Sequence, residues 1–417
     1  HCLSISGAEH VIIDTETLAA IDTIRVGLAR PLTYWVLDGE GNGAERRKLD
    51  LHEPKLPPER PSRDRRAGLK ARDVALYIYT SGTTGMPKAA RITHTRAQLY
   101  MRAFAGATNS NAEDKVYCAL PLYHSTGGLC GVGSALLNGG TLVLRRKFSA
   151  THFWDDVVDT GCTIFVYIGE LCRYLVNQPP HQKERAHHLK LAFGNGLRPE
   201  VWTEFQDRFG VPNILEFYGS TEGNVSMFNF DGQPGAIGRI PGYLRGNFAI
   251  RLVKFDIESE TPVRGPDGLC MLTEAGEPGE AIGLIKDDAR HNYSGYADKA
   301  ASERKVLRNV FEMDDAWFRT GDLMRQDADG YFYFVDRIGD TFRWKGENVS
   351  TTEVAEAIAT AEQFRNADPT RADRARGQNH QRQRHHPGRF VQMPVMFVLV
   401  GVLMGVVVVT LRVGVRT

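Results

Sequence analysis

What this sequence lacks narrows its class before any motif is read. Its six cysteines (Cys2, Cys118, Cys130, Cys162, Cys172, Cys270) form no C-x-x-C pair and have no His-rich companion. That spacing suits neither a structural zinc site nor a disulfide framework, so buried free thiols in a reducing cytoplasm are expected. No basic stretch leads into an apolar segment at the start, so no secretory signal is read there. The chain opens at His1 in text that already reads as packed structure (Val11–Ile13, then Tyr34–Leu37), and a truncation is expected at this end. There is no internal repeat, and no large excess of either charge: the formal net charge is +1.

That near-neutrality hides an uneven distribution. From Phe364 onward there are nine Arg and two Asp but no Lys or Glu, while residues 1–363 carry 42 Lys+Arg against 48 Asp+Glu. A mildly acidic body argues against nucleic acid as a partner. The tail also has no Ile, Tyr, Trp or Cys. Two readings of it stand. Residues 393–411 carry no charge and are flanked by arginines, which meets the length of a membrane-spanning helix. The same narrow vocabulary of Arg, Val, Gly, His and Gln is what a GC-rich gene yields when read out of frame.

Within the body, residues 41–72 read as a loop rich in Gly, Arg, Pro and Asp. The run Val74–Tyr79 then reads as a buried strand, as do Thr141–Leu144 and Thr163–Tyr167. Ser149–Val158 and Pro199–Phe209 read as helices, the second opening on a proline suited to a first turn. Such alternation predicts a layered α/β architecture with a largely parallel sheet. Between Gly235 and Gly339 short strands and Gly/Pro turns predict a β-rich subdomain.

The strongest chemical signal is Tyr79-Thr80-Ser81-Gly82-Thr83-Thr84-Gly85-Met86-Pro87-Lys88. A strand delivers the chain into hydroxyls and glycines, and a lysine closes the loop. Glycines let backbone N–H groups approach an anion, hydroxyls add donors, and Lys88 adds a mobile positive charge. The string lacks the G-K-[ST] ending of the P-loop nucleotidases. A plain Gly/Thr hairpin turn is the competing reading.

This string resembles the signature loop of the adenylate-forming superfamily, and further motifs similar to that family's follow in order. They are Leu120-Pro-Leu-Tyr-His124, Gly194-Asn195-Gly196, Tyr218-Gly219-Ser220-Thr221-Glu222, Trp317-Phe-Arg-Thr-Gly-Asp322 and Asp336-Arg337. Tyr77–Thr80, Ile168–Leu175 and Asp340–Val349 resemble the fatty acid transport protein, or very-long-chain acyl-CoA synthetase, branch. The resemblance implies residues 1–336 as part of the large AMP-binding domain and 337–363 as hinge and start of a small C-terminal domain. Residues 364–417 form a tail outside the family pattern.

It further implies a reaction: a fatty acid carboxylate attacks the α-phosphate of ATP, and coenzyme A then displaces AMP from the acyl-adenylate. Fatty acid, ATP and coenzyme A are the implied partners. Glu222 is the implied Mg²⁺ ligand and Thr221 the α-phosphate contact. Tyr218 would stack on adenine, with Gly194–Gly196 as the opposite wall; a plain core tyrosine is the competing reading. Asp322 would accept the ribose hydroxyls with Arg337 as its cationic partner, where a surface ion pair is the default for either alone. His124 would lie beside the acyl and phosphate pockets, or serve only as a satisfied structural histidine. Gly339 falls at the family's hinge.

The family's lid carries a lysine between carboxylate and α-phosphate. Here the familiar text stops near Glu362 and the tail holds no lysine. The lid is therefore expected to be largely missing, and little turnover is expected from the chain as given. A short-chain or carnitine-type acid:CoA ligase is the alternative enzyme. A nucleotide- and fatty-acid-binding uptake protein without turnover is the alternative class. The implied location is cytoplasmic, with peripheral association at the inner face of the membrane.

Overall fold

The structure is a computed structural model that describes residues 1–24, 27–28, 31–37, 46–49, 62–80, 86–244, 246, 248–288, 291–339, 342–344 and 347–349. The 364–417 tail, with its apolar 393–411 segment, lies outside the described residues, as does most of the expected 337–363 unit.

The described residues form three larger sheets and two two-stranded hairpins, mixed α/β as predicted. The first is a small parallel sheet of His10–Ile13, Thr33–Leu37 and Arg46–Leu49. Its last strand corrects the reading of 41–72 as loop. Arg46–Leu49 is an edge strand of charged residues, held by its backbone ladder to Thr33–Leu37 and so without an apolar alternation to betray it.

The central sheet has six strands in the order Ser226–Asn229, Ile214–Gly219, Leu191–Asn195, Ile164–Ile168, Lys115–Cys118, Thr141–Leu144. Five run parallel and Ser226–Asn229 is antiparallel. Residues 164–167 and 191–194 are buried throughout, the run of apolar residues that a sheet covered on both faces demands. The helix Pro199–Phe209 has the predicted bounds, with its proline at the first turn and Gly210 in the left-handed conformation at its end. The other predicted helix starts later, at Phe153, and runs to Thr160. Ser149, read as the helix start, lies before it, and the Ser149 and Thr151 hydroxyls bond each other at 3.0 Å.

The third sheet is antiparallel and spans the stretch read as β-rich: Gly238–Arg239, Tyr331–Arg337, Ala316–Gln326, Gly279–Leu284, Ile250–Asp256 and Thr261–Pro262, with Val306–Arg308 added on Ala316–Gln326. All six cysteines are free, five of them buried. Among the described residues no helix is long and apolar enough to cross a membrane.

Helix His94–Ala107 ties the parts together. Thr93 caps it by accepting the Arg96 N–H at 3.2 Å. Its Phe104 meets Phe217 edge-on at 4.6 Å, and lies 5.6 Å from Phe193 and 5.1 Å from Phe228. Each such pair adds about 0.5–1.5 kcal/mol beyond its buried area. One fully buried ring thus anchors the three strands whose ends form the site.

Candidate functional site

Val74–Thr80 and Lys88–Thr93 pair as an antiparallel hairpin in which Thr80 faces Lys88. The loop that carries the anion-binding pattern is therefore a hairpin connection. Its residues Ser81, Gly82, Thr83, Thr84 and Gly85 lie outside the described residues. Thr80 and Lys88 frame it at the edge of the cleft. Tyr79 also borders the cleft, although its hydroxyl points away and donates to the Cys2 carbonyl at 2.9 Å.

Thr221 and Glu222 sit in the short connection between Ile214–Gly219 and Ser226–Asn229. The connection is clamped from three sides. Arg96 Nη2 and the Tyr100 hydroxyl both donate to the Ser220 carbonyl, at 2.9 and 3.0 Å. Asn224 Nδ2 donates to the Leu284 and His291 carbonyls, at 2.7 and 2.9 Å. Gly223 packs flat on Phe318: a Cβ there would lie 1.9 Å from the ring. The Tyr296 hydroxyl donates to Glu222 Oε1 at 2.6 Å.

Asp322 and Arg337 face each other across adjacent strands. Asp322 Oδ2 accepts the Tyr218 hydroxyl, and Arg337 Nε stands 3.6 Å from Oδ1. Burial raises the Asp322 carboxyl, against the pull of the Tyr218 hydroxyl and the Arg337 charge. Behind it Lys305 Nζ donates to the Thr320 carbonyl at 2.9 Å, fixing the turn that presents Asp322. Glu280, fully buried, takes Arg319 Nε on both oxygens at 3.0 and 2.9 Å.

The turn after Leu191–Asn195 follows the strand paired beside that of Tyr218. Asn195 and Gly196 line the cleft, with Gly196 at φ 80°. A Cβ on Gly169 would come 1.8 Å from the Gly196 carbonyl, so this approach demands glycine. Gly194 does not border the cleft and packs on Tyr167. The turn is held from below by Glu216, whose Oε1 accepts the Leu197 N–H at 3.0 Å and whose Oε2 pairs with the Tyr167 hydroxyl.

These elements enclose one cleft of about 790 Å³. Of the residues singled out in the sequence, Tyr79, Thr80, Lys88, His124, Asn195, Gly196, Tyr218, Gly219, Thr221, Glu222, Asp322 and Arg337 all border it. Burial lowers the His124 imidazole and so favours its neutral form. Gly339 lies two residues past the Tyr331–Arg337 strand, at φ 93° and with open space where a Cβ would stand.

The sequence reading missed Glu216, Glu280, Tyr296 and Lys305, and gave no role to Arg319 within the Trp317–Asp322 motif; all line the cleft. Glu216 had a usable signal: two residues before Tyr218 on one strand, it shares that residue's face. Tyr296 had none, because only the tertiary fold brings it to Glu222. Among the described residues no three His, Cys, Asp or Glu side chains converge as a metal cage. A cation here would rest on Glu222 and on ligand oxygens.

Known proteins share both the sequence pattern and the fold. Residues 1–280 match the model of the AMP-binding enzyme family. Long-chain fatty acid transport protein 1 of Mus musculus is 43% identical over 363 residues, 86% of this chain and 56% of that protein. Its Homo sapiens counterpart is 45% identical over 362 residues, 85% of this chain and 55% of that protein. The chain thus spans about half the length of these relatives. In three dimensions, ATP-bound MatB from Rhodopseudomonas palustris superposes with a TM-score of 0.63 at 21% identity, over 85% of this chain and 64% of that one. The anthranilate CoA ligase AuaEII, in complex with anthranoyl-AMP, does so at 0.62, also at 21% identity, over 85% and 63%. At that identity the likeness speaks for the fold. With a family match covering most of the chain and one cleft bordered by its motifs, this chain belongs to the AMP-binding enzyme family.

Proposed function

We propose that the protein activates long- or very-long-chain fatty acids, using ATP to form an acyl-adenylate and coenzyme A to form the acyl-CoA. The observation that carries this reading is the convergence of Lys88, Thr221, Glu222, Tyr218, Asp322 and Arg337 on one cleft from segments up to 249 residues apart in sequence. The acyl class follows the long-chain fatty acid transport proteins, to which the body is 43–45% identical. Tyr218 and the Asn195–Gly196 turn would flank the adenine. Asp322 would take a ribose hydroxyl on Oδ1 while Oδ2 keeps the Tyr218 hydroxyl, and Arg337 would hold the charge balance there.

Lys88 and Thr221 would donate to the phosphates. Attack of the carboxylate on the α-phosphorus releases pyrophosphate, and fixed donors that meet the charge developing on the phosphate oxygens lower that barrier. Neutral His124 would orient the carboxylate without repelling Lys88. A lone carboxylate beside a phosphate site suits Mg²⁺, which is held through one or two carboxylates plus phosphate oxygens. Glu222 would hold it, and the ion when bound would neutralise phosphate charge. Gly339, unhindered at positive φ, would serve as the hinge between the large domain and a small C-terminal domain. A cytoplasmic enzyme lying peripherally at the membrane's inner face fits an apolar substrate. The relatives' name favours one second reading, a nucleotide- and fatty-acid-binding uptake protein without turnover.

A thermal-shift series with AMP and with ATP–Mg²⁺ tests the site, since a ligand of the folded state raises the melting temperature by mass action. No shift up to millimolar nucleotide overturns it. Assays with oleate and a C20–C24 acid then separate turnover from binding alone. They compare this chain with one extended by a relative's C-terminal domain, and acyl-CoA from neither favours the uptake reading.

A further inference from the structure

Tyr296 joins two parts of the cleft that come from distant places in the chain, Glu222 and the strand that begins at Lys88. Its hydroxyl donates to Glu222 Oε1 at 2.6 Å. Lys88 Nζ stands 5.7 Å from its ring centroid. Its backbone bridges Ala90 in the phosphate hairpin, flanked by Arg91 N–H to the Gly295 carbonyl and Ala297 N–H to the Ala89 carbonyl, both 2.9 Å. The residue is buried and its own N–H donates to Ser302 Oγ at 2.8 Å, on a helix capped by Asp298. The side chain is thus fixed by its surroundings before any ligand arrives.

We infer that Tyr296 is the positioning residue of the triphosphate end of the cleft. By occupying Oε1 it turns Glu222 so that Oε2, which takes no hydrogen bond from the described residues, is presented to a divalent cation. Its ring meanwhile holds Lys88 at the mouth of the hairpin loop. The inference rests on the proposed role of Glu222. Partners that orient a ligating carboxylate typically contribute about 10–100-fold in metal affinity. A cation over an aromatic face gains a smaller attraction.

The test is a Mg²⁺ titration of the full chain at fixed ATP, read by thermal shift, beside AMP without metal. Tyr296→Phe keeps the ring and the packing. It should leave the AMP shift unchanged and raise the Mg²⁺ concentration for the half-maximal ATP shift about tenfold or more. Tyr296→Leu should do the same and also weaken metal-free ATP relative to AMP. Glu222→Ala separates the two claims. If it abolishes the Mg²⁺ dependence while Tyr296→Phe leaves it unchanged or tighter, the positioning role is wrong and the Glu222 reading survives. If Glu222→Ala changes nothing, both fall. A Tyr296→Phe variant that loses the AMP shift as well would show a merely structural tyrosine and overturn the inference.

Discussion

Replacing Glu216 by glutamine should make the protein more stable, and increasingly so as the pH rises. Glu216 is fully buried under the Asn195–Leu197 turn, and burial pushes its carboxyl from an ordinary 4.5 to about 8. Between those two values the folded protein holds a proton that the unfolded chain has released. Stability therefore falls as the pH rises from about 4.5 and levels off above about 8. At about 1.4 kcal/mol for each pH unit of that gap, the loss is of order 5 kcal/mol as an upper bound. Glutamine copies the protonated form, with a carbonyl for the Leu197 N–H and an amide toward Tyr167, and it cannot ionise. The assay is the melting temperature of both proteins at half-unit steps from pH 5 to 8.5. Near pH 5 the two should be nearly equal, and the variant should lead by several degrees at pH 8. Two curves that stay parallel across the range would refute the reasoning, because other titrating groups are common to both. Glu216→Ala should add an offset from the lost acceptor.

Substitutions at three further positions test other parts of the site. Gly223→Ala drives a methyl to within 1.9 Å of the Phe318 ring, and should cost about 1–3 kcal/mol and displace Glu222; denaturant melts and loss of the Mg²⁺-dependent shift measure it. Asp322→Asn should weaken AMP binding roughly tenfold by calorimetry while the melting temperature without ligand stays within a few degrees, the loss of one charge-assisted hydrogen bond. Glu280→Ala leaves Arg319 without its buried partner and should destabilise by about 3–5 kcal/mol in a denaturant melt, whereas Glu280→Gln should recover part of that loss.

Local chemistry wrote the legible parts of this fold. Pro199 and Gly210 mark both ends of a helix by their backbone dihedrals alone, and the apolar run at Ile164–Ile168 announces a covered strand. A largely parallel sheet and a β-rich region after Gly235 could be read from such runs and turns; the number, order and antiparallel pairing of their strands could not. Arg46–Leu49 was illegible because an edge strand is stabilised by backbone ladders that side chains do not report. The start of Phe153–Thr160 was misplaced because serine and threonine hydroxyls serve turns as readily as helix ends. At the site, glycine strings and their charged neighbours stood out as motifs. Tyr296 did not, since its role arises from a bridge closed between Ala90 and Tyr296, whereas Glu216 could have been found from its spacing to Tyr218.

That same bridge has a consequence for the growing chain. The hairpin strand Lys88–Thr93 has its inner edge paired by Val74–Thr80 as soon as both emerge, while its outer edge waits for Gly295–Ala297. Roughly 200 residues must be synthesised in between, which at about 5–20 residues per second takes on the order of 10–40 seconds. For that interval a nascent chain carries an open strand edge at Ala89–Arg91 beside apolar residues that are later buried. Slow emergence of the antiparallel sheet, or a polypeptide released before residue 297, leaves that edge available to other chains. Expression yield and the demand for chaperones should therefore change sharply between polypeptides ending just before and just after this segment.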